Sequence, residues 1–255
     1  MTTIKSVEKV IDILDCFRAD KPVLGVNEIS QMTGFTKSTV SRLLATMENK
    51  GCLERTGDNG RYRLGVKFYI WGNIVQQQQT GLTAVARPVM EKLRDECGEE
   101  VSLYVMENES RICLLKVESK YGVAKVSTTG VSLPLHCGAS GRVLLAYLPE
   151  AERERLIRKE PLKQFTPFTI IDPDQLSKNL EQVRKQGYAI STNEREIGAY
   201  SVVAPVRDGS NEVIASLAIS GPSFRLSEEQ LQKNLQLVLE AAKNISVKLG
   251  STVLE

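Results

Sequence analysis

The sequence predicts an α+β chain of two domains: a small helical domain closed by a β-hairpin, then a larger one in which strands and helices mix. Three observations lead there. At 255 residues the chain is too long for one small core, since a domain commonly runs to about 100–200 residues. Its first quarter shows helical apolar spacing three times, then two short alternating segments around Gly57-Asp58-Asn59-Gly60, and Asn-Gly is a strong hairpin signal. Beyond Gly98 short strand signals appear among helical stripes, without the regular βαβ alternation of a nucleotide-binding fold. The predicted boundaries are 1–65, a linker helix over 66–80, and 81–255.

Taken in order, Val7, Val10, Ile11, Leu14 and Phe17 make one apolar stripe and predict a helix over 6–17. After the Lys21-Pro22 break a second helix is expected over 26–33, with Ile29 and Met32 turned to the same core and Gly34 as its stop. Thr36 is the expected N-cap of a third helix, which reaches Lys50 and ends at Gly51. On that helix Val40, Leu43, Leu44 and Met47 fall on one side, and Ser38, Ser41, Arg42 and Ala45 opposite. The hairpin strands are 52–56 and 61–64, with Tyr62 and Leu64 facing inward and Arg61 and Arg63 outward. Three helices followed by a hairpin make a winged helix-turn-helix. A helix over 66–75, rich in aromatic residues, leads to Gln76-Gln77-Gln78-Gln79, read as the exposed part of the connection. Leu82, Ala86, Val89, Met90 and Leu93 resume a helical stripe up to Gly98, with a kink expected at Pro88.

In the larger domain, strands are expected at 101–106, 111–117 and 123–127, the first two joined by Glu107-Asn108-Glu109-Ser110. Gly138-Ala139-Ser140-Gly141 opens a helix, and Asp172-Pro173 opens another that Gly187 closes. Strands follow at 188–192, 201–206 and 213–220, and Ser227 with Gln230 forms a capping box for the terminal helix. The sheet is expected to lean antiparallel.

Composition narrows the function classes. No stretch approaches the ~20 apolar residues of a membrane helix, and the Met1-Thr2-Thr3-Ile4-Lys5-Ser6 start is unlike a secretory signal, so a cytoplasmic protein without membrane association is expected. The five cysteines are odd in number and lack a CxxC pair, which supports neither a disulfide framework nor zinc. His136 is the single histidine, so a histidine triad or multi-histidine metal site cannot be built, and a structural role is favoured for it over catalysis. No cofactor or metal is implied. Residues 1–65 hold ten Lys/Arg against eight Asp/Glu, and the remainder 23 against 23; the positive excess sits where nucleic acid would be met.

Thr36, Lys37, Ser38, Thr39, Ser41 and Arg42 put short polar and basic groups at the start of the second helix of a helix-turn-helix, the part that reaches base edges and phosphates in the major groove. Arg61 and Arg63 would add wing contacts to the DNA backbone or minor groove. The alternative is a surface helix of an all-α domain. Further on, small residues at Gly138-Ala139-Ser140-Gly141 leave backbone N–H groups open at a helix start, where the dipole favours an anion; the alternative is a tight strand-to-helix turn. Glu194 and Glu196 are read as a charged loop rather than an acid–base pair, and Trp71 as a subunit contact rather than a ligand platform.

Together, Ser6-Val7-Glu8-Lys9-Val10, Gly34-Phe35-Thr36-Lys37-Ser38-Thr39-Val40-Ser41-Arg42-Leu43-Leu44 and Gly60-Arg61-Tyr62-Arg63-Leu64-Gly65 resemble the IclR family of transcription regulators. The likeness continues through Leu133-Pro134-Leu135-His136-Cys137-Gly138-Ala139-Ser140-Gly141, Phe165-Thr166-Pro167-Phe168-Thr169-Ile170, Gln186-Gly187-Tyr188-Ala189 and Ile219-Ser220-Gly221-Pro222. The resemblance implies a GAF-like α/β effector-binding domain, dimerisation through the N-terminal domains, and often a tetramer. It implies an effector pocket with Ala139, Ser140 and Gly141 as one wall and Ser191, Ser201, Ala218 and Ser220 opposite. The chain departs from relatives with an acid at Ser191 or Glu at Asn193.

The expected function is therefore effector-controlled binding of an operator on double-stranded DNA by a homo-oligomer. The expected effector is a small organic or sugar acid, held by the helix start and serine hydroxyls. With no Lys or Arg in the pocket set and Arg142 expected to point outward, little ligand charge is anticipated. Two rivals stand beside this reading: an enzyme using Cys113 or Cys137, and a DNA-binding scaffold without a ligand.

Overall fold

The computed structural model describes residues 4–18, 21–57, 60–78, 81–122 and 127–253, with the side chains of 73 and 75–78 outside that description. Two compact units result, Met1–Gln78 and Gln79–Glu255.

The first unit holds α1 (Lys5–Leu14), β1 (Val23–Leu24), α2 (Val26–Thr33), α3 (Lys37–Asn49), β2 (Leu53–Thr56), β3 (Arg61–Leu64) and α4 (Val66–Gln78). Gly34 ends α2 in the left-handed region at φ 73°, a conformation that costs a residue without a Cβ little. Thr36 caps α3, its Oγ1 accepting from the Thr39 amide at 3.4 Å. Ile13, Leu24, Ile29, Val40, Leu44, Leu53 and Tyr62 form the core. The apolar spacing of α1 splits over two faces: Ile13 is buried, with Val10 and Leu14 packed beside it, whereas Ile4, Val7 and Ile11 stand at least half exposed. Met32 and Leu64 also face solvent rather than the core expected for them. β1, which the sequence did not announce, makes a third strand by pairing with β3 (Leu24 opposite Tyr62). The turn residues 58–59 lie outside the described residues. Gln76–Gln78, expected as exposed connection, continue α4 as helix; Gln is a good helix former.

In the second unit, α5 (Leu82–Cys97), β4 (Glu100–Glu107), β5 (Ser110–Val117), β6 (Ser132–Pro134), α6 (Ala139–Ala146) and α7 (Glu150–Arg158) come first. They are followed by α8 (Pro173–Gln186), β7 (Ala189–Thr192), β8 (Ala199–Arg207), β9 (Val213–Pro222) and α9 (Glu228–Lys248). The six strands form one sheet in the order β6-β5-β4-β9-β8-β7, antiparallel at every pairing. The strand expected over 123–127 falls mostly outside the described residues; Ser127 is described and is not in a strand. Asn108 and Glu109, at φ 46° and 62°, make the tight β4–β5 turn, whose positive φ pair matches the twist of a hairpin.

Alternate residues of these strands serve two cores. On one face Val101, Leu103, Val202, Leu217 and Ile219 pack against α5 and α9. On the other Tyr104, Cys113, Val203 and Ala218 pack against α6, α7 and α8. Asp172 and Ser227 cap α8 and α9 as read from sequence, accepting from the amides of Gln175 at 2.7 Å and Gln230 at 3.1 Å.

Candidate DNA interface and ligand cleft

On α3 the packed side is Val40, Leu44 and Met47, and Lys37, Ser38, Ser41 and Arg42 are exposed. Thr36 and Thr39 close the helix start by bonding each other, hydroxyl to hydroxyl at 2.9 Å. Lys37 and Arg42 have no acidic partner among the described residues. The wing arginines differ. Arg61 donates to Glu28 Oε2 at 2.8 Å and to the Val23 carbonyl at 3.0 Å, tying β3 to the start of α2. Arg63 grips Glu54 Oε2 through Nε and Nη2 at 3.0 and 2.8 Å, and this pairing holds the Glu54 carboxyl below its ordinary pKa. The outward arginine pair expected from strand alternation is thus engaged within the unit, on either side of its strand.

In the second unit, the short turn from Leu135 to Ala139 brings the start of α6 over the ends of β7 and β8. A cleft forms there between Ala139 and Ser140 on one side and Ser191 and Ser201 on the other. Its free volume is about 20 Å³, room for about one water. Gly141, Ala218 and Ser220 do not line it among the described residues. A Cβ on Gly141 would run into the Leu135 backbone, so that glycine allows close packing. Ala218 belongs to the core, and Ser220 is buried opposite Ser201 on the neighbouring strand.

Tyr104, Arg111, Arg195 and Tyr200, which sequence reading left aside, also line the cleft, together with Glu194 and Glu196, read there as a charged loop. The helix start has an occupant from the chain itself. Glu194 is buried, accepts from the Gly138 amide at 3.2 Å, and receives Arg142 Nη1 at 2.7 Å. Arg142, expected to point outward, is therefore buried, and its Nη2 donates to the Ile190 carbonyl at 2.6 Å. Glu194 owes its place to Thr166 and Thr169, whose hydroxyls donate to the Asn193 and Glu194 carbonyls, both at 2.6 Å.

Arg111 is 4% exposed. It donates to the Cys137 carbonyl and sits over the Tyr104 ring, 5.6 Å from its centroid; Ser127 fixes that ring through the phenol at 2.9 Å. Burial, with Arg195 nearby adding to it, pushes the Arg111 pKa down to about 10. A signal for Arg111 was present: it shares its strand face with the buried Cys113, although a bulge after Cys113 sends Leu115 and Val117 to the other face of the sheet. Because Ile112 and Leu114 make the opposite face apolar too, alternation alone did not separate inside from outside.

His136 is buried with Nε2 3.0 Å from the Lys163 carbonyl, and burial lowers its pKa. Burial raises the Cys113 thiol to about 11 and raises that of Cys137 as well, the reverse of what a nucleophile needs. Groups of three or more His, Cys, Asp or Glu side chains able to hold a metal are absent among the described residues, where no helix is long and apolar enough to cross a membrane.

Comparison with known proteins bears on both units. A family model described as the IclR helix-turn-helix domain matches residues 6–57, and one described as bacterial transcriptional regulator IclR C-terminal matches 75–247. The chain is 32% identical to the HTH-type transcriptional regulator XynR of Escherichia coli (strain K12), over 98% of this chain and 99% of that one. It is 33% identical to the HTH-type transcriptional regulator KdgR of the same strain, over 97% and 94%. Among solved structures, an IclR homolog from Microbacterium hydrocarbonoxydans complexed with 4-hydroxybenzoate matches with a TM-score of 0.84 at 27% identity, over 96% of this chain and 98% of that one.

Proposed function

Since this chain belongs to the IclR family of bacterial transcriptional regulators, we propose that α3 reads an operator in the major groove and that the cleft at the start of α6 holds the effector that controls it. Residues 1–65 then carry DNA affinity, 66–80 the link, and 81–255 the sensing of a small organic acid. The observation that carries the DNA reading is the exposed face of Ser38, Ser41 and Arg42, on which Arg42 is uncommitted while every wing arginine has a carboxylate partner. Thr36, Lys37 and Thr39 lie at the same helix end, where phosphates are met. Arg61 and Arg63 contribute by shaping the wing first and by reaching phosphate second.

The effector reading draws on Ser140, Ser191 and Ser201, hydroxyl groups that face one cleft and can each donate and accept. Gly141, Ala218 and Ser220 support its walls from behind. The protein acts as a homo-oligomer, in the cytoplasm with the DNA it binds. Ile4, Val7 and Ile11 on α1, and Tyr69, Ile70, Trp71 and Ile74 on α4, are exposed apolar groups in one unit, a pattern that calls for a covering surface. Against the enzymatic rival stands the burial of Cys113 and Cys137, which raises both thiols away from the thiolate a nucleophile needs.

Footprinting on the DNA flanking the protein's own gene, followed by calorimetry across a panel of small organic acids, tests both halves. A protected site that an acid releases in the parent, and no longer in Ser140→Leu, is the expected result. Unchanged effector affinity in Ser140→Leu would move the effector site elsewhere.

A further inference from the structure

The charges around the cleft do not cancel. Arg142 and Glu194 form a buried pair at 2.7 Å, and Arg195 lies 3.7 Å from Glu196. That leaves Arg111, whose guanidinium is bonded to the Cys137 carbonyl and makes no ion pair among the described residues, Glu194 reaching it only at longer range while paired with Arg142; its Nε, fully buried, has no hydrogen-bond partner among them. A buried cation without a counter-charge is costly, and the cost disappears when an anion meets it. The helix start is closed to a ligand carboxylate at its first amide, because Glu194 accepts from Gly138 there.

We propose that Arg111 is the specificity-determining residue of this cleft: it reads a single negative charge, so the site takes monocarboxylates and rejects both their neutral amides and dicarboxylates. The inference rests on the cleft being the effector site and goes beyond it by moving the ligand's carboxylate from the helix start to Arg111. The serines then meet the ligand's other oxygens. A second carboxylate has no free cation left to meet and would face Glu194 and Glu196 instead. The Tyr104 ring beneath the guanidinium keeps the cation in place without neutralising it.

The test uses the full-length protein and three small probes: acetate, acetamide and malonate. The Arg111 Nε–H resonance, assigned by its loss in Arg111→Met, and the melting temperature are followed through each titration. Acetate is expected to move both saturably with about millimolar affinity, as suits so small a ligand. Acetamide and malonate should bind at least about tenfold more weakly. Arg111→Met and Arg111→Gln should both lose the acetate response while melting no lower than the parent; a purely structural arginine would lower the melting temperature of both. Gln keeps a donor for the Cys137 carbonyl, so it serves should Met fail to fold. Equal responses to acetate and acetamide, an acetate response that survives in either variant, or a still Arg111 resonance would each overturn the proposal. The Ser140→Leu calorimetry stands apart from all three, so the effector reading can survive the loss of this one.

Discussion

Arg42 and Arg111 both lack an ion-pair partner among the described residues, one in water and one in the interior, and that difference sets what each costs to remove. Arg42→Ala should leave stability unchanged and weaken specific DNA binding by about 1–3 kcal/mol, the usual worth of a base contact. Arg63→Ala should weaken it less, because its guanidinium must first leave Glu54; anisotropy titrations of both variants at matched salt give the order. Equal losses would mean the wing reads DNA as directly as the helix. His136 supplies a pH dependence. Its folded pKa lies below its ordinary value of 6.5, so the unfolded chain binds the extra proton first. The stabilisation is therefore complete above about pH 6.5 and fades as pH falls through the window below it. Melting temperatures should drop on acidification more steeply in the parent than in His136→Gln, and parallel slopes would show that burial there is relaxed.

Among the elements, α6 is placed by a missing atom group. Gly141→Ala puts a methyl against the Leu135 backbone, which cannot yield as a flexible side chain would, and overpacking of this kind costs about 1–3 kcal/mol or more. Denaturant melts should show that loss with the start of α6 displaced. Thr36→Ala, removing the α3 cap, should cost about 1 kcal/mol. Elements of this sort were legible because their chemistry is local: Gly34 and Gly187 in the left-handed region and Asp172 and Ser227 as caps mark helix ends within a few residues. β1 was not, since two residues carry no period, and its strand character comes from pairing with β3 some forty residues on. α7 was missed for a different reason. Its stripe is thin, with Ile157 and Arg153 as the buried positions, and charged residues dominate the rest. The cleft was half legible: Ser140, Ser191 and Ser201 do line it together, whereas Glu194 sits among charged neighbours and is turned inward by groups distant in sequence, the Thr166 and Thr169 hydroxyls, the Gly138 amide and Arg142.

At the scale of the whole molecule, the exposed apolar groups on α1 and α4 predict the state in solution. Ile70→Glu combined with Trp71→Glu places charge on that face and should shift light scattering from oligomer to monomer, with loss of affinity for a two-half-site operator. An unaltered mass would place the subunit contact on another surface. The strand order of the sheet also fixes when the molecule becomes able to respond. β9 lies between β4 and β8, although it is the last strand in the chain, so the centre of the sensing sheet is missing until residue 222 has been made. The helix-turn-helix unit closes within its own first 78 residues. At the ribosome's pace of about 5–20 residues per second, roughly 7–30 s separate the two events. A nascent chain thus gains its grip on DNA before it gains any ear for the effector, and chains broken off in that interval would hold an operator that no ligand can clear.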